Sequence, residues 1–573
     1  MQIVSENWKN AHRQTLLNES FVEVSLGIGD PDAIAAARSR DNGAIYISES
    51  PQLSTEEDKN IIPYCTLEQN LWVLDGSREA IPESNYGDCG YIGDAISDDN
   101  CVFSDVMPII TVDFKEVFIK LIPGVTITWS TTFGEFADTF TVLAYKGDEV
   151  VSQKEVIGNR SVTTRVWFDI IDYDRIEIWV KKWCLPHHRA RIEEFFVGIN
   201  MVYSKKELFD YSHTQSVDPI STSLPKAEVR FAIDNVNGEY NPYNEDGISK
   251  YLMERQEIGI KYGLKTNEDT IEWINGGTFY LSEWYAKQNG MTADFTARDL
   301  LEFMSANYSD TSYYNVINDT SLVTDDKGNK VNAKGDTIID KNGNIVYQRS
   351  LFDLAILVLN AANLPLNGNG TPKWTIDESL KTRYTTAPLP EDTLANCLQL
   401  IANAGGCTIY QDRTGTLCIE SINFDDIDTD YEIDSFNSYT KPEITLSKPI
   451  KQVIVKAYNY NRVENGIDST TVEVVDNVGI VGETITVDNP LITCLIDESG
   501  TVNTSRAYAI CSWLTSYLQR RMTLDFSWRA DVRLDALDMI RNQNNYRTNN
   551  VLMTDVEFEY NGAFRGTGKG KVI

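Results

Sequence analysis

The first candidates for metal binding or catalysis are the four histidines of the chain, His12, His187, His188 and His213. The sequence contains no HExxH pair for a zinc ion and no serine in a GxSxG turn. His187 and His188 are adjacent, and neighbouring side chains of an extended segment point to opposite sides, so the two do not hold one zinc ion together. We expect both to be polar surface residues, and we predict no catalytic residue, no metal site and no cofactor.

Glycoside hydrolysis needs only two carboxylates at a suitable separation, and the chain has 84 acidic residues. The sequence therefore leaves such a pair open, although we predict that the chain is not an enzyme. The segment GTGKG at 566–570 resembles part of a phosphate loop, but it lacks the full spacing and has no helix after it. We expect a flexible tail there.

Two near copies, DDKGNKV at 325–331 and DKNGNIV at 340–346, place Gly and Asn where tight turns need positive φ. An EF-type calcium loop needs oxygen ligands at alternating positions, then Gly and a distal Glu, and neither copy supplies that order. We therefore predict turns of small β-hairpins that project from their domain.

Two tryptophans are candidates for contact with a sugar. In SVTTRVWFDI, Trp167 lies on the more polar face of its strand, and in DRIEIWVKK, Trp179 does the same. Large aromatic side chains among polar neighbours stack on pyranose rings, but more often they cover a neighbouring domain. Trp129 shares a face with Val125 and Ile127, so we expect it in a core.

The elements that must position these residues are mostly short strands. Between 41 and 200, strand segments such as GVTITWS and DTFTVLAYK alternate with turns, which is typical of a β-sandwich or jelly roll. The strand within 15–28 has no partner nearby, so we expect its partners beyond residue 220 and read 41–200 as an insertion. Apolar stripes predict helices over 351–364, 391–404 and 504–521.

Composition narrows the function classes. A length of 573 residues suggests about three to five domains. The net charge of −33 disfavours specific nucleic-acid binding and anionic membranes, and no apolar run is long enough to span a bilayer. Nine cysteines without a CxxC pair indicate buried thiols of a protein assembled in a reducing cytoplasm.

The most informative stretch is 224–263, LPKAEVRFAIDNVNGEYNPYNEDGISKYLMERQEIGIKYG, followed by EWINGGTFYLSEW at 272–284. Alternation of Val229, Phe231 and Ile233 predicts a half-buried strand, and physics alone predicts a β-barrel hairpin. The combination of residues resembles the tube domain of phage tail hubs, the baseplate or tail-tip proteins of phages and phage-tail-like particles of Gram-positive bacteria. TLEQNLWVLDGS, GYIGDAIS, PGVTITW and LPHHRARIEEFFVGI resemble the galactose-binding-like, carbohydrate-module-type insertion of such hubs.

The resemblance implies a mainly β chain with some α+β. It implies two tail-tube-like β-barrels, an α/β linking domain and an inserted jelly-roll or β-sandwich domain. The predicted division in chain order is 1–40 for the first part of tube barrel 1, 41–200 for the inserted sandwich, 201–306 for the rest of barrel 1, 307–350 for a polar hairpin insertion, 351–442 for the linking domain and 443–573 for tube barrel 2.

The function that the resemblance implies is structural. It is a homotrimeric hub that continues the tail tube, adapts sixfold to threefold symmetry and encloses an acidic conduit. Expected partners are copies of itself, a tail tube or distal tail protein, a tape measure protein, tail spikes or fibres, and host cell-wall polysaccharide at Trp167 and Trp179. The expected location is the virion tail, after assembly in the bacterial cytoplasm. The alternative is a tail-tip protein that binds or hydrolyses wall polysaccharide, and the sequence leaves the tail type and the kind of particle open.

Overall fold

The fold is taken from a computed structural model, which describes residues 1–14, 18–40, 44–47, 66, 68–72, 75, 90–104, 106–267, 270–286, 290–366, 371–424, 429, 431–464, 466–496, 501–543 and 546–573. The chain is mainly β with a minority of helices, as predicted. No helix in these ranges is long and apolar enough to cross a membrane.

The N-terminal segment contributes two helices and two strands. Ser5 caps the first helix by accepting the Trp8 N–H at 3.1 Å, and Asp30 followed by Pro31 starts the second. Neither helix is predicted from the sequence, whose helical patterns begin at residue 351. The elements are α1 (Glu6–His12), β1 (Ser20–Ile28), α2 (Pro31–Ala36) and β2 (Arg38–Arg40).

The insertion is a β-sandwich with its own core. Its strands are β3 (Ala44–Ile47), β4 (Tyr91–Ile96), β5 (Ile109–Phe118), β6 (Ile122–Thr128), β7 (Ala137–Lys146), β8 (Glu149–Ile157), β9 (Thr163–Ile170), β10 (Tyr173–Trp183), β11 (Arg189–Ile192) and β12 (Glu194–Phe196). A five-stranded sheet, β2-β5-β10-β7-β8, and a three-stranded sheet, β12-β6-β9, enclose the core, in which Trp129 is fully buried as predicted. The core also takes in Ala33 and Ala37, which precede the expected boundary at residue 41.

The next six strands follow the insertion. They are β13 (Ile199–Tyr203), β14 (Leu208–Ser216), β15 (Lys226–Asp234), β16 (Glu257–Lys265), β17 (Ile271–Ala286) and β18 (Thr292–Arg298). β1 pairs with β16, beyond residue 220 as predicted, and also with β13 at the end of the insertion.

The hairpin predicted within 224–263 is wrong. β15 pairs with β14 and β18, whereas β16 pairs with β1 and β17, so the two strands are not neighbours. The turn after Asp234 opens a long crossing connection that buries Tyr240, Tyr251 and Leu252 in the core under the sheet. These buried residues anchor the connection, which passes over two strands between β15 and β16. A tight turn would instead have joined two neighbouring strands.

The middle of the chain is α/β. Its elements are β19 (Asn307–Tyr308), α3 (Thr311–Ile317), β20 (Val323–Thr324), β21 (Lys330–Val331), β22 (Thr337–Ile339), β23 (Arg349–Ser350), α4 (Leu351–Ala362), β24 (Trp374–Ile376), β25 (Tyr384–Thr385), β26 (Asp392–Thr393), α5 (Leu394–Gly405), β27 (Thr408–Gln411) and β28 (Leu417–Glu420). The helix predicted from 391 starts later, because Thr393 is its cap and the two residues before the helix form a strand. Helix α3 was not predicted at all.

The last part returns to strands, with one helix. Its elements are β29 (Glu432–Ile433), β30 (Glu443–Leu446), β31 (Ile450–Val463), β32 (Gly466–Asn477), β33 (Glu483–Val487), β34 (Leu495–Ile496), β35 (Val502–Asn503), α6 (Ser505–Leu518), β36 (Met522–Trp528), β37 (Met539–Gln543), β38 (Thr548–Tyr560) and β39 (Phe564–Val572). Helices α4, α5 and α6 and strand β31 share one core.

One 13-stranded sheet contains most strands that were predicted for two separate barrels. Its order is β13-β1-β16-β17-β18-β15-β14-β38-β39-β36-β30, with β37 on β38 and β29 on β37. The two halves join at β14 and β38, which pair from Tyr211 with Tyr560 to Ser216 with Asp555. The hydroxyl groups of Tyr211 on β14 and Tyr262 on β16 lie 2.7 Å apart across the core. This contact between strands that are not neighbours shows that the sheet curls.

The segment GTGKG is not a flexible tail. Gly566, Gly568 and Gly570 lie inside β39, between β36 and β38, on the core-facing side. A β-carbon on Gly566 would lie 2.9 Å from the buried ring of Trp528, so the glycine leaves the space that the indole fills. The glycines that resembled a phosphate loop are packing residues.

Candidate functional site

Strand alternation gives the long sheet one side of polar residues, which we call the polar face. Residues directly opposite each other on neighbouring strands share a side, so the polar face runs continuously across the joint between β14 and β38. Its residues on four adjacent strands are Lys226, Glu228 and Arg230, then Ser212, Thr214 and Ser216, then Asp555, Glu557 and Glu559, then Arg565, Thr567 and Lys569.

Glu228 is the most enclosed charge of the polar face. Its carboxylate lies 2.6 Å from Arg230 Nη2, 3.3 Å from Arg298 Nε and 3.6 Å from Lys226 Nζ. Burial opposes ionisation, but these cations outweigh it and hold the pKa of Glu228 below its ordinary value. The polar face thus carries both signs of charge in close pairs, and this part of the sheet is not uniformly acidic.

Strand β30 ends the sheet with an uncovered apolar side, which we call the open edge. Ile444 lies opposite the buried Leu524 and Leu446 lies opposite Met522, so both face the side that elsewhere forms the core. Ile444 is 59% exposed and Leu446 is 60% exposed, and within the described ranges no strand pairs with the outer side of β30. Unpaired backbone groups beside exposed apolar side chains are what a partner strand binds.

The two tryptophan candidates are not brought together. Trp167 is on β9 of the three-stranded sheet and is 41% exposed. Trp179 is on β10 of the five-stranded sheet, where its Nε1–H donates to Glu177 at 2.9 Å. Outer faces of two packed sheets point in opposite directions, so these rings do not form one platform. Beside Trp167, Asp169 accepts a hydrogen bond from Tyr251 Oη at 2.6 Å, which places this face next to the long sheet's crossing connection.

The expectation that both adjacent histidines are surface residues is wrong for His188. Its side chain is 4% exposed, whereas that of His187 is 47% exposed. His188 Nε2–H donates to the carbonyl of Gln69 at 2.6 Å, and Nδ1 lies 2.7 Å from Glu135 Oε1. Glu135 also accepts from the buried Trp183 indole at 2.8 Å. His188 is thus buried because a carboxylate and a carbonyl satisfy both ring nitrogens.

A second buried carboxylate completes this network. Glu68 accepts from Arg191 Nη1 at 3.0 Å and from the Arg189 backbone N–H at 2.7 Å. Burial opposes its ionisation, but Arg191 outweighs burial and lowers the pKa of Glu68. Glu68 and Glu135 are held by structural partners inside the sandwich, so the pair does not stand free for a substrate.

The two near-copy segments form matching turns. The Asp325 carboxylate accepts the Asn329 N–H at 2.8 Å, and that of Asp340 accepts the Asn344 N–H at 2.8 Å. Both turns are side-chain-capped backbone turns, as predicted. The second segment does not project, because the Ile345 N–H donates to the carbonyl of Tyr460 at 2.8 Å and Ile345 is buried. Within the described ranges no group of three His, Cys, Asp or Glu side chains is arranged to hold a metal ion.

Seven cysteines can be placed, all as free thiols. Five are buried, and Cys101 and Cys184 are partly buried. The remaining two, Cys65 and Cys89, lie outside the described residues. Burial raises the pKa of the Cys407 thiol to about 12, so this thiol is inert at neutral pH.

No protein-family model matches the sequence, and no curated protein matches it. Among solved structures, the chain is similar to the 43 kDa tail protein of prophage MuSo2 from Shewanella oneidensis, with 10% identity, a TM-score of 0.38 and coverage of 65% of this chain and 95% of that one. It is similar to the tail protein from Neisseria meningitidis MC58, with 11% identity, a TM-score of 0.38 and coverage of 64% and 92%. The prophage tail protein gp18 from Listeria monocytogenes EGD-e gives 8% identity, a TM-score of 0.35 and coverage of 65% and 91%. At these TM-scores the likeness does not establish a shared fold.

Proposed function

We propose that this chain is a structural component of a phage tail or phage-tail-like particle. In this proposal it is a homotrimeric hub that continues the tail tube and adapts sixfold to threefold symmetry. The proposed domains are the six segments predicted from the sequence. We assign the chain no catalytic role, and two of its buried carboxylates are already engaged by Arg191 and His188.

The observation that carries this proposal is the long sheet with its open edge. Strands from both ends of the chain are hydrogen-bonded into one sheet, whose polar face is continuous across the joint. At the open edge, Ile444 and Leu446 are exposed on the core-facing side. A sheet of this kind gains backbone hydrogen bonds and buries apolar area when another sheet docks there.

Docking of copies explains the proposed symmetry. Each chain supplies two sets of strands to its sheet, one before residue 300 and one after residue 430. Three copies in a closed ring would then present roughly six similar units to a sixfold tube and three to a threefold tip. The two ends of such a ring are the proposed contacts with a tail tube or distal tail protein and with tape measure, spike or fibre proteins.

The conduit is proposed to run through the centre of this ring. The net charge of −33 favours an acidic lining along which a polyanion slides without binding. The polar face described above carries paired charges of both signs, so it contributes a wall of low net charge. The acidic lining is therefore proposed from the whole-chain charge.

A reconstruction of the particle by electron microscopy tests the hub. Density for three copies around the tail lumen supports it, and a single copy at the periphery, or absence from particles, contradicts it. The open edge is tested by Ile444→Asp with Leu446→Asp, which should lower incorporation into particles at unchanged folding. Val323→Asp is the matched control, since Val323 is 60% exposed on a strand of a small separate sheet.

Glycan binding by the inserted sandwich is a second proposal, and Trp167 favours it. This ring is 41% exposed beside the charged Arg165 and Asp169 on β9. Aromatic rings among polar groups stack on sugars. Binding of the full chain to a neutral polysaccharide array, weakened by Trp167→Ala or by Trp179→Ala, supports the proposal. No binding, or equal binding by native chain and both variants, contradicts it.

A further inference from the structure

A cleft of about 1250 Å³ lies between the long sheet, the sandwich and the segment after α4. Its floor is the polar side of β1, β16 and β17, with Ser25, Gly259 and Thr278 in one row. The Ser25 hydroxyl lies over the glycine in this row and donates to the Gly259 carbonyl at 3.3 Å. Clefts at junctions between domains are common places for ligands.

Two cations and two aromatic rings form one corner of this cleft, which we call the basic corner. The guanidinium carbon of Arg255 lies 4.6 Å from the ring centroid of Phe303. Phe303 packs edge to face on Tyr280, with the two ring centroids 4.8 Å apart. Lys373 Nζ lies 3.3 Å from the hydroxyl group of Tyr280. All four side chains line the cleft.

Lys373 is a buried and charged member of this corner. Its side chain is 7% exposed, and its Nζ lies 3.4 Å from Glu257 Oε2. Burial alone would lower the pKa of Lys373, but Glu257 and Tyr280 outweigh burial and raise it above its ordinary value. Glu257 offsets this single positive charge, which leaves the charge of Arg255 to be matched.

Arg255 is held in a conformation that arginine rarely adopts. Its φ is +69°, in the left-handed region that glycine enters without strain. Backbone bonds fix it there, since the Arg255 N–H donates to Leu281 O at 2.7 Å and the Leu281 N–H donates to Gln256 O at 2.8 Å. In the parts of the chain that the structure describes, no carboxylate pairs with its guanidinium. Strain of this kind is found where a side chain must be presented to a ligand.

From these observations we propose that the cleft binds an anionic, hydroxyl-rich polymer, with its phosphate or carboxylate group on Arg255. Arginine matches the planar fork of such groups, and the paired charges of Lys373 and Glu257 leave Arg255 as the cation available to the ligand. The hydroxyl groups of Ser25 and Thr278 on the floor supply donors and acceptors for hydroxyl groups of the ligand. This site goes beyond the assembly role and is separate from the tryptophans of the sandwich.

The acidic surface of the chain does not prevent such binding. The lining of the cleft contains both signs of charge: five carboxylates, Glu23, Asp32, Glu116, Glu194 and Glu257, and six cations, Arg38, Lys115, Arg165, Arg255, Lys261 and Lys373. At physiological ionic strength the Debye length is about 8 Å, so negative charges outside the cleft are largely screened. For the same reason we expect the affinity to fall as salt is added. A ligand held only by apolar contacts would not show this fall.

Calorimetric titration of the full chain tests the site, with poly(glycerol phosphate) and polygalacturonate as probes and inorganic phosphate as competitor. The phosphate polymer and the carboxylate polymer distinguish the two sources of the anion. We expect Arg255→Gly to weaken binding by about ten- to hundredfold. Since glycine relaxes the positive φ, the melting temperature of this variant should not fall, whereas loss of a merely structural arginine would lower it.

Arg462→Ala is the matched control, because Arg462 is an exposed arginine on β31 outside the cleft. It should bind as the native chain does. Binding of either polymer that is lost in Arg255→Gly and kept in Arg462→Ala supports the proposal. Binding of neither polymer, or equal binding by Arg255→Gly and the native chain, overturns it. Particle incorporation of Arg255→Gly reports on the assembly role separately.

Discussion

The guanidinium of Arg413 donates to the carboxylate of Asp535 at 2.7 Å, although the two residues are 122 positions apart. Arg413 sits in the turn between β27 and β28 and is 5% exposed. It also donates to the carbonyls of Asn275 at 3.1 Å and Leu534 at 2.9 Å. One side chain thus joins the linking segment to both halves of the long sheet.

Arg413→Leu should therefore destabilise the fold strongly. The variant leaves Asp535 and two carbonyls without their donor, and removal of one partner from a buried ion pair costs about 3 to 5 kcal/mol. The denaturation midpoint in urea measures the loss. Arg462→Ala, at an exposed site, should stay within about 0.5 kcal/mol of the native chain. Equal midpoints for both variants would show that Arg413 does not join the domains.

The glycine stripe of β39 should not accept side chains. A β-carbon on Gly568 would lie 2.7 Å from the Asp555 carbonyl and 3.2 Å from Trp528 Cη2. Gly568→Val should cost about 1 to 3 kcal/mol or more through overpacking, and it should shift the fluorescence of the buried Trp528. Thr567→Val is the control, since its side chain points away from the core. A Gly568→Val chain with native stability would contradict this packing.

The buried hydrogen-bond network of the sandwich predicts that stability depends on the carboxylate of Glu135. Glu135→Leu leaves the Trp183 indole and the ring of His188 without their acceptor. We expect a loss of about 3 to 5 kcal/mol, confined to the insertion. Hydrogen exchange should then speed up in β10 and β11 and stay unchanged in β38. Uniform exchange across the chain would contradict an insertion with its own core.

Two buried groups give the folded state opposite pH dependences. Burial, together with the charge of Arg413, lowers the pKa of His213 to about 3 from 6.5. The unfolded state then takes up a proton that the folded state does not, so stability falls as the pH drops from 6.5 toward 3. Burial raises the pKa of Asp299 to about 7 from 3.8, so stability falls as the pH rises between these values.

The two effects offset each other between about pH 4 and 6.5, and single variants separate them. Relative to the native chain, His213→Phe lacks the His213 effect, so its stability should shift toward falling with rising pH in that window. Asp299→Asn lacks the Asp299 effect, so its stability should shift toward rising with pH. Melting temperatures at half-unit pH steps measure both slopes. Parallel curves for the two variants would refute these assignments.

The spacing of apolar residues in the sequence predicts the helices and the sandwich core. It does not predict the pairing of β14 with β38. Leu351, Leu354, Val358 and Leu359 form the predicted buried stripe of α4, because helical spacing alone places them on one face. β14 gives no such signal. Its core-facing residues are Tyr211, His213 and Gln215, which are polar by type, and tertiary partners such as the Tyr262 hydroxyl make their burial possible.

Burial of charge was the other feature that pattern did not predict. His188 and Arg191 are polar in type, and a single sequence does not reveal that Glu68 and Glu135 lie beside them in the fold. The basic corner was missed for the same reason, since Arg255 and Lys373 are 118 positions apart in the sequence and meet only around Tyr280 and Phe303. The tryptophan candidates were placed on the outward sides of their strands, but strand pairing separates them.

The joint between β14 and β38 also sets the order in which the chain folds. Ser216 and its partner Asp555 are 339 positions apart, so a ribosome working at about 5 to 20 residues per second makes β38 roughly 20 to 70 s after β14. Throughout that time the edge of β14 has no native partner. The long sheet is completed only when the last strands emerge, so a copy whose synthesis stops early keeps an unfinished edge.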